Sequence, residues 1–375
     1  MMITDPIGLY VHIPYCIKKC GYCDFCSLPT SAGCVSNLYI DRLVREINEY
    51  RSFGKIAVST VYFGGGTPSL LQPEQLSKIV SALKDVFDFG KDIEFTVEAN
   101  PGTVSLDKLF SYKEIGVNRI SIGVQSFDDG ELKALGRIHN KTDAIRAYNT
   151  VRDAGFDNVS IDLMYGIPNQ TRESFLSTLE EAVSLSPEHI SVYGLILEEG
   201  TPLYNNRDSL ILPNEDEECD MYYTASELLK SHGYIHYEIS NYAKDTRESK
   251  HNLKYWRARE YIGLGAAAAS YFLGRRYSNT DSVCEYMNGC GIGYYSVEEQ
   301  TLDDASFEYA MMHLRLRDGF LLEDYRSRFG CDFQEGRKEI LGRFKELLLL
   351  DISEGRIKLT ERGFYVSNSI LAELL

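Results

Sequence analysis

The chain has 375 residues, 44% hydrophobic and 25% charged, with a formal net charge of −16. That length exceeds one ordinary core and fits a large α/β domain with an appendage, or two domains. So acidic a chain argues against a general nucleic-acid role, which needs a basic surface; only a local patch, as at Arg275 and Arg276, is basic.

The opening "MMITDPIGLYVHIP" has no basic region followed by an apolar core, so no secretory signal is read. The longest apolar stretch, "IGLGAAAASYFLG", is short and Ala-rich; it reads as core rather than as a membrane span. A cytoplasmic protein without membrane insertion is expected. In a reducing compartment, clustered cysteines mean metal or catalysis more often than disulfides.

In chain order, short β-branched runs recur at intervals of roughly thirty residues, a βαβ rhythm. They are "GLYVHI" (8–13), "STVYF" (59–63), "IEFTV" (93–97), "RISIGV" (119–124), "NVSIDLM" (158–164) and "HISVYGLI" (189–196). Amphipathic helices are expected between them. Leu38, Ile40, Leu43, Val44 and Ile47 share one face; Leu76, Ile79, Val80 and Leu83 share another; Phe175, Leu176, Leu179 and Val183 share a third. After the strands come "PYCIKKC", "GGGTPS", "EANPGT", "QSF", "DLMYGIP" and "EEGTP". Polar and Gly/Pro-rich sequence thus gathers at one end of every strand, the functional face of a (β/α) barrel. Six units fall short of eight, so an incomplete, TIM-like (β/α)6 barrel is expected.

Past residue 200, "PNEDEECDMYYTASELLKSHG" reads as an acidic amphipathic helix and "YIHYEISNYA" as one more strand. From about 300 the pattern turns helical and closes with "GRIKLTERGFYVSNSILAELL". Helices, a short strand pair and a last helix predict a winged-helix-like module, packed on the barrel rather than gripping DNA. The expected division is 1–290, barrel with extension, and 291–375, C-terminal domain.

Four of nine cysteines fall within "HIPYCIKKCGYCDFC". Cys16, Cys20 and Cys23 form C-x3-C-x2-C, close enough to converge. Structural zinc would want four ligands, commonly as two separated pairs, and no second pair follows. An iron–sulfur cluster is the better reading; three thiolates on four irons leave one iron open. Cys26 is a possible fourth ligand, which would close the cluster for electron transfer alone. Cys34, Cys219, Cys284, Cys290 and Cys331 are scattered and read as single thiols.

"YVHIPYCIKKCGYCDF" resembles the cluster loop of the radical S-adenosylmethionine (SAM) enzymes. More narrowly, the chain resembles, over nearly its whole length, oxygen-independent coproporphyrinogen III oxidase and its haem-chaperone relatives of the HemW type. The resemblance implies a 4Fe–4S cluster on Cys16, Cys20 and Cys23 and a HemN-type C-terminal domain. It implies SAM on Tyr10, the "FGGGTPS" stretch (Gly64, Gly65, Gly66, Thr67), Glu98, Gln125, Arg137 and Asp162, with His12 also matching. The physical reasons agree. Consecutive glycines let a ligand reach the backbone; a phosphate loop is the other reading, but its Gly-Lys-Ser/Thr ending is absent. Glu98 ends a strand, where a carboxylate can accept two ribose hydroxyls. Arg137 can grip the methionine carboxylate through two donors. In the family, one electron from the cluster cleaves SAM, and the radical so formed abstracts hydrogen; the protein orients the cofactor and excludes water.

Two functions stay open on these residues: a haem-binding chaperone that hands haem to target proteins, and an oxidase that decarboxylates coproporphyrinogen III propionates. A closed-cluster redox protein without SAM is a third. In the oxidase a cysteine lies two positions after the third; here that position is Phe25, as in the chaperone branch, and Cys26 departs from both patterns. Only fifteen residues precede Cys16, where the oxidase has a longer arm. "KHNLKYW" (250–256) matches the chaperone branch's H-N-x-x-Y-W. There His251 is expected as an axial haem ligand, with Tyr255 and Trp256 against the porphyrin. The plainer alternative is a hydrogen-bonded loop histidine beside core aromatics. Ala269 stands where relatives often carry a histidine. An electron donor, haem-accepting proteins and a homodimer are the partners implied.

Overall fold

The computed structural model describes residues 5–30, 33–289 and 296–375. Each expected β-branched run is a parallel strand: β1 (Ile7–Ile13), β2 (Ile56–Gly65), β3 (Phe87–Ala99), β4 (Arg119–Gln125), β5 (Val159–Tyr165) and β6 (His189–Gly194). They pair in chain order, Leu9 opposite Val61, Val61 opposite Phe95, Val97 opposite Ile120 and Ile122 opposite Ile161. The sheet does not close on itself, so the barrel is incomplete, as the count of six units predicts.

The sheet is longer than those six strands. β7 (Ile235–Glu238) and β8 (Asn241–Ala243) extend it beyond β6. The single strand expected over 234–243 is therefore two antiparallel strands, with the chain turning at Ile239–Ser240. The Ser240 carbonyl there accepts the Val192 N–H of β6. At the opposite edge β9 (Tyr261–Leu264) lies parallel to β1, and β10 (Ala269–Phe272), β11 (Arg275–Ser278) and β12 (Ser296–Glu299) continue it. The Ala-rich stretch is core, as expected: Ile262, Leu264, Ala266 and Ala268 are buried.

Helices cover the sheet: α1 (Asn37–Glu49), α2 (Pro73–Val86), α3 (Leu106–Ile115), α4 (Asp129–Ala134), α5 (Lys141–Asp153) and α6 (Arg172–Ser184), of which α1, α2 and α6 stand where the 3.6-residue pattern places them. Most residues of the expected stripes are buried, Leu43 and Ile47 in α1 and Leu76, Ile79 and Leu83 in α2, but Leu38, expected on the same face of α1, stands exposed at the first turn. A fully buried side chain of this size contributes roughly 1.5–3 kcal/mol. The acidic segment is α7 (Glu215–Ser231), where Asn214 accepts the N–H groups of Asp216 and Glu217. Four acids in its first turn complement the positive end of the helix dipole. No described helix is long and apolar enough to cross a membrane.

The C-terminal segment has its own apolar cluster around Phe320, Phe333, Phe344, Ile357 and Phe364. Its strand pair, Leu350–Ser353 and Arg356–Leu359, gains a third short strand at Phe320–Leu321. It packs on the barrel through Tyr222 of α7, and Ile239 N–H donates to the Arg315 carbonyl at 3.1 Å. The expected boundary at 290/291, and Cys290, lie outside the described residues.

Candidate functional site

The carboxyl ends of β2 to β6 and the cysteine loop surround one cavity of about 370 Å³. The loop leaves β1 at Ile13 and carries Cys16, Cys20 and Cys23 onto the cavity wall. Neighbours pin it. Gly21 N–H donates to the Leu135 carbonyl at 3.0 Å, Arg137 donates to Cys20 Sγ at 3.5 Å, and Thr67 Oγ1 to Cys16 Sγ at 3.5 Å. Gly66 is required where strand and loop meet: a Cβ there would stand 2.8 Å from the Tyr15 carbonyl oxygen and 3.0 Å from Cys16 Sγ. Burial pushes the Cys16 and Cys23 thiols up, so both are neutral without a metal to stabilise the thiolate.

Opposite the thiols stands a polar wall. Glu98, at the end of β3, accepts from Tyr62 Oη at 2.7 Å and from the Gly65 N–H at 3.2 Å. Burial raises its carboxyl to about 7, and nearby Asp162 adds to the rise. Asp162, on β5, is also raised by burial, while Ser191, Arg119, Ser121 and Ser160 oppose the rise. Arg137 donates to Asn100 Oδ1 at 2.6 Å and to the Gly123 carbonyl. Gln125 closes β4 at φ 71°, a left-handed backbone that costs a non-glycine residue energy, and the strand register shifts there. Such strain at a cavity wall re-aims a side chain at the expense of stability.

Of the thirteen expected site residues, ten line this cavity: Cys16, Cys20, Cys23, Gly65, Gly66, Thr67, Glu98, Gln125, Arg137 and Asp162. Three lie elsewhere. Gly64 and Tyr10 stand behind the glycine stretch, where a Cβ on Gly64 would lie 2.9 Å from the Tyr10 ring. Tyr10 Oη meets His12 Nδ1 at 2.9 Å, and His12 Nε2 donates to the Cys26 carbonyl at 2.8 Å. They brace the loop from below.

His251 is the third residue that does not line the cavity. It opens α8 (Lys250–Trp256) and is fully buried. Its Nδ1 is bonded to Thr60 Oγ1 at 2.8 Å and its Nε2 to Tyr255 Oη at 2.7 Å. Both nitrogens are hydrogen-bonded, the arrangement of the plainer alternative read from the sequence. Burial lowers it to about 3. Tyr255 turns its edge to Tyr261, and Arg315 lies over the Trp256 ring at 5.8 Å.

Cys26 is set apart from the three thiols. Its Sγ donates to the Asp281 carbonyl at 3.0 Å and its side chain packs on the main core. Sequence reasoning missed the cavity floor: Arg119, Tyr62, His189, Ser191, Tyr193 and Asn252. Arg119 is buried and its Nε has no hydrogen-bond partner. At the start of a strand it reads as an ordinary surface charge, and only the paired sheet turns it inward.

The donor set suits an iron–sulfur group: three thiols on one wall, a fourth cysteine turned away, and no carboxylate or imidazole among them. Among the described residues, no three Cys, His, Asp or Glu side chains gather around a single point as one ion needs. A cluster takes one thiolate per iron and spreads its ligands wider.

Residues 10–182 match the radical SAM superfamily and residues 300–366 the HemN C-terminal domain. The chain is 37% identical to the heme chaperone HemW of Lactococcus lactis subsp. lactis (strain IL1403), covering 100% of this chain and 98% of that protein. It is 36% identical to the heme chaperone HemW of Bacillus subtilis (strain 168), covering 98% of each. Its fold is similar to that of coproporphyrinogen III oxidase (HemN) from Escherichia coli, a radical SAM enzyme. The TM-score is 0.87 at 24% identity, covering 98% of this chain and 90% of that one.

Proposed function

The chain belongs to the HemW family of radical SAM proteins, and from that premise we propose that it holds haem at the barrel mouth and passes it to acceptor proteins in the cytoplasm. Membership of the radical SAM superfamily implies a 4Fe–4S cluster and SAM. Cys16, Cys20 and Cys23 would hold the cluster and leave one iron open. Gly65, Gly66 and Thr67 would meet SAM through backbone, Glu98 its ribose and Arg137 its carboxylate. Gln125 and Asp162 would line the same site. When bound, cluster and SAM supply one-electron chemistry. The protein's own part is to orient SAM, keep water out and hold the carboxyl groups at their protonation state.

The observation that carries the haem reading is the cavity rim. Ile17, Phe25, Ile138 and Ile196 line the cavity yet are 41%, 67%, 56% and 67% exposed. Scattered exposed apolar residues are ordinary, but a set around one mouth marks a binding surface. Lys18 and Lys19 stand on the same rim, a local cationic pair in a chain of net charge −16. An apolar ring with two cations beside it complements a flat macrocycle with two propionates. Phe25, in place of the oxidase's extra cysteine, enlarges that ring.

Haem titrated into the cluster-loaded protein tests this through the Soret band. Phe25→Ser with Ile196→Ser should weaken binding about tenfold or more, from lost apolar contact. Unchanged affinity in that double variant would refute the mouth as the haem site.

A further inference from the structure

The H-N-x-x-Y-W helix has its imidazole closed off, yet it is tied to the SAM wall by an unbroken chain of contacts. The His251 ring lies against the Tyr62 ring, centroids 5.1 Å apart and 22° from parallel. Tyr62 Oη in turn donates to the Glu98 carboxylate at 2.7 Å. The ring's own orientation is set at both nitrogens, by Thr60 and Tyr255. The backbone is set as well: the N–H groups of Lys250 and His251 donate to the two carboxylate oxygens of buried Glu94, each at 3.0 Å. Tyr10 stands against the same Tyr62 ring, centroids 6.3 Å apart.

We infer that His251 is a positioning residue for Glu98, acting through the Tyr62 ring, rather than a ligand to haem. A phenol holds one hydrogen-bond geometry only while its ring cannot tilt. Tyr62 is packed by the imidazole, and the imidazole is held by two hydrogen bonds. Removing the imidazole opens a space beside Tyr62 and lets Oη leave the carboxylate. Glu98 then keeps only the Gly65 N–H as a donor, in a site already crowded by Asp162 and balanced by Arg119. The motif thereby bears on SAM, and a change in its helix would be felt at the SAM wall before it reached any haem.

The inference about Glu98 stands on these contacts; its consequence for SAM rests on the reading proposed above. Two readouts keep them separable. In the full chain labelled with 13C-carboxyl glutamate, with Glu98→Gln to assign the signal, His251→Ala should move the Glu98 titration upward, as Tyr62→Phe should. His251→Phe, which keeps a ring against Tyr62, should leave it near wild type. A Glu98 titration indifferent to His251→Ala but moved by Tyr62→Phe would overturn the inference, whatever SAM does. Should His251→Ala fold poorly, Thr60→Val removes the Nδ1 partner at constant shape and reads the same chain.

By calorimetry on the cluster-loaded protein, SAM should bind about tenfold more weakly in His251→Ala and in Tyr62→Phe, the size of one lost charged hydrogen bond. The double variant should be no weaker than either, because both remove one interaction. Additive losses would sink the shared route. Haem affinity should not change in His251→Ala; its loss with the Glu98 titration intact would restore the imidazole as a haem ligand.

Discussion

At the scale of single residues, the three-thiol reading separates Cys26 from its neighbours by what each sulfur touches. Cys16, Cys20 and Cys23 face the cavity, whereas Cys26 Sγ is spent on the Asp281 carbonyl. Cys20→Ser should therefore lose the visible cluster absorbance after anaerobic reconstitution, and Cys26→Ser should keep it; the opposite pair of results would reassign the ligands. Glu98 gives a pH prediction. With its carboxyl raised to about 7, it is largely protonated at pH 6 and a poorer acceptor for ribose hydroxyls. SAM affinity should climb between pH 6 and pH 8, and Glu98→Gln should flatten that climb. The cysteines were legible in the sequence because their spacing is local; the glycines and Glu98 were legible only through the family resemblance and their places at strand ends. The surroundings of Cys26 and His251 were not, since their partners come from Asp281 and Thr60, far away in the chain.

At the scale of elements, β-branched runs and 3.6-residue stripes located the six strands β1 to β6 and the helices α1, α2 and α6, but not β9, which also runs parallel to β1. Those signals are backbone-local and depend little on tertiary context. The run over 234–243 was misread as one strand because the turn at Ile239–Ser240 lacks glycine or proline; the sheet edge and the pairing with residues 315–317 impose it. Helix α8 depends on a buried acid in the same non-local way. Glu94 caps its first two N–H groups and faces the buried Arg119 guanidinium. Glu94→Ala should cost about 2 kcal/mol or more, because it leaves two buried helix N–H groups unpaired and removes a carboxylate near the buried Arg119. Denaturant unfolding checks this; a cost under about 1 kcal/mol would show that Arg119 does not depend on Glu94.

For the whole molecule, stability should fall on acidification. Burial holds His251 at about 3 and His139, His236 and His313 at about 4. Each stays neutral when folded and takes a proton on unfolding below the ordinary 6.5. Their contribution is complete above that pH and is lost as pH falls toward 4. Glu98 and Glu238, raised to about 7, run the other way: their contribution is present below the ordinary 4.5 and lost as pH rises through 7. Burial also lowers His12 and His189 and raises Glu46, Asp162 and Glu218, so six imidazoles stand against five carboxyls and leave a net loss: the thermal midpoint should drop between pH 6.5 and pH 4.5. A flat or rising midpoint would mean that these imidazoles are not buried neutral.

The claim that this incomplete barrel serves haem is tested most directly under anaerobic conditions. The reconstituted protein receives SAM and reductant, first with coproporphyrinogen III and then separately with haem, while porphyrin mass and the Soret band are followed. The account predicts a stable haem complex and no loss of carboxyl groups from coproporphyrinogen. Decarboxylated product, with no haem retained, would contradict it and make the chain an oxidase.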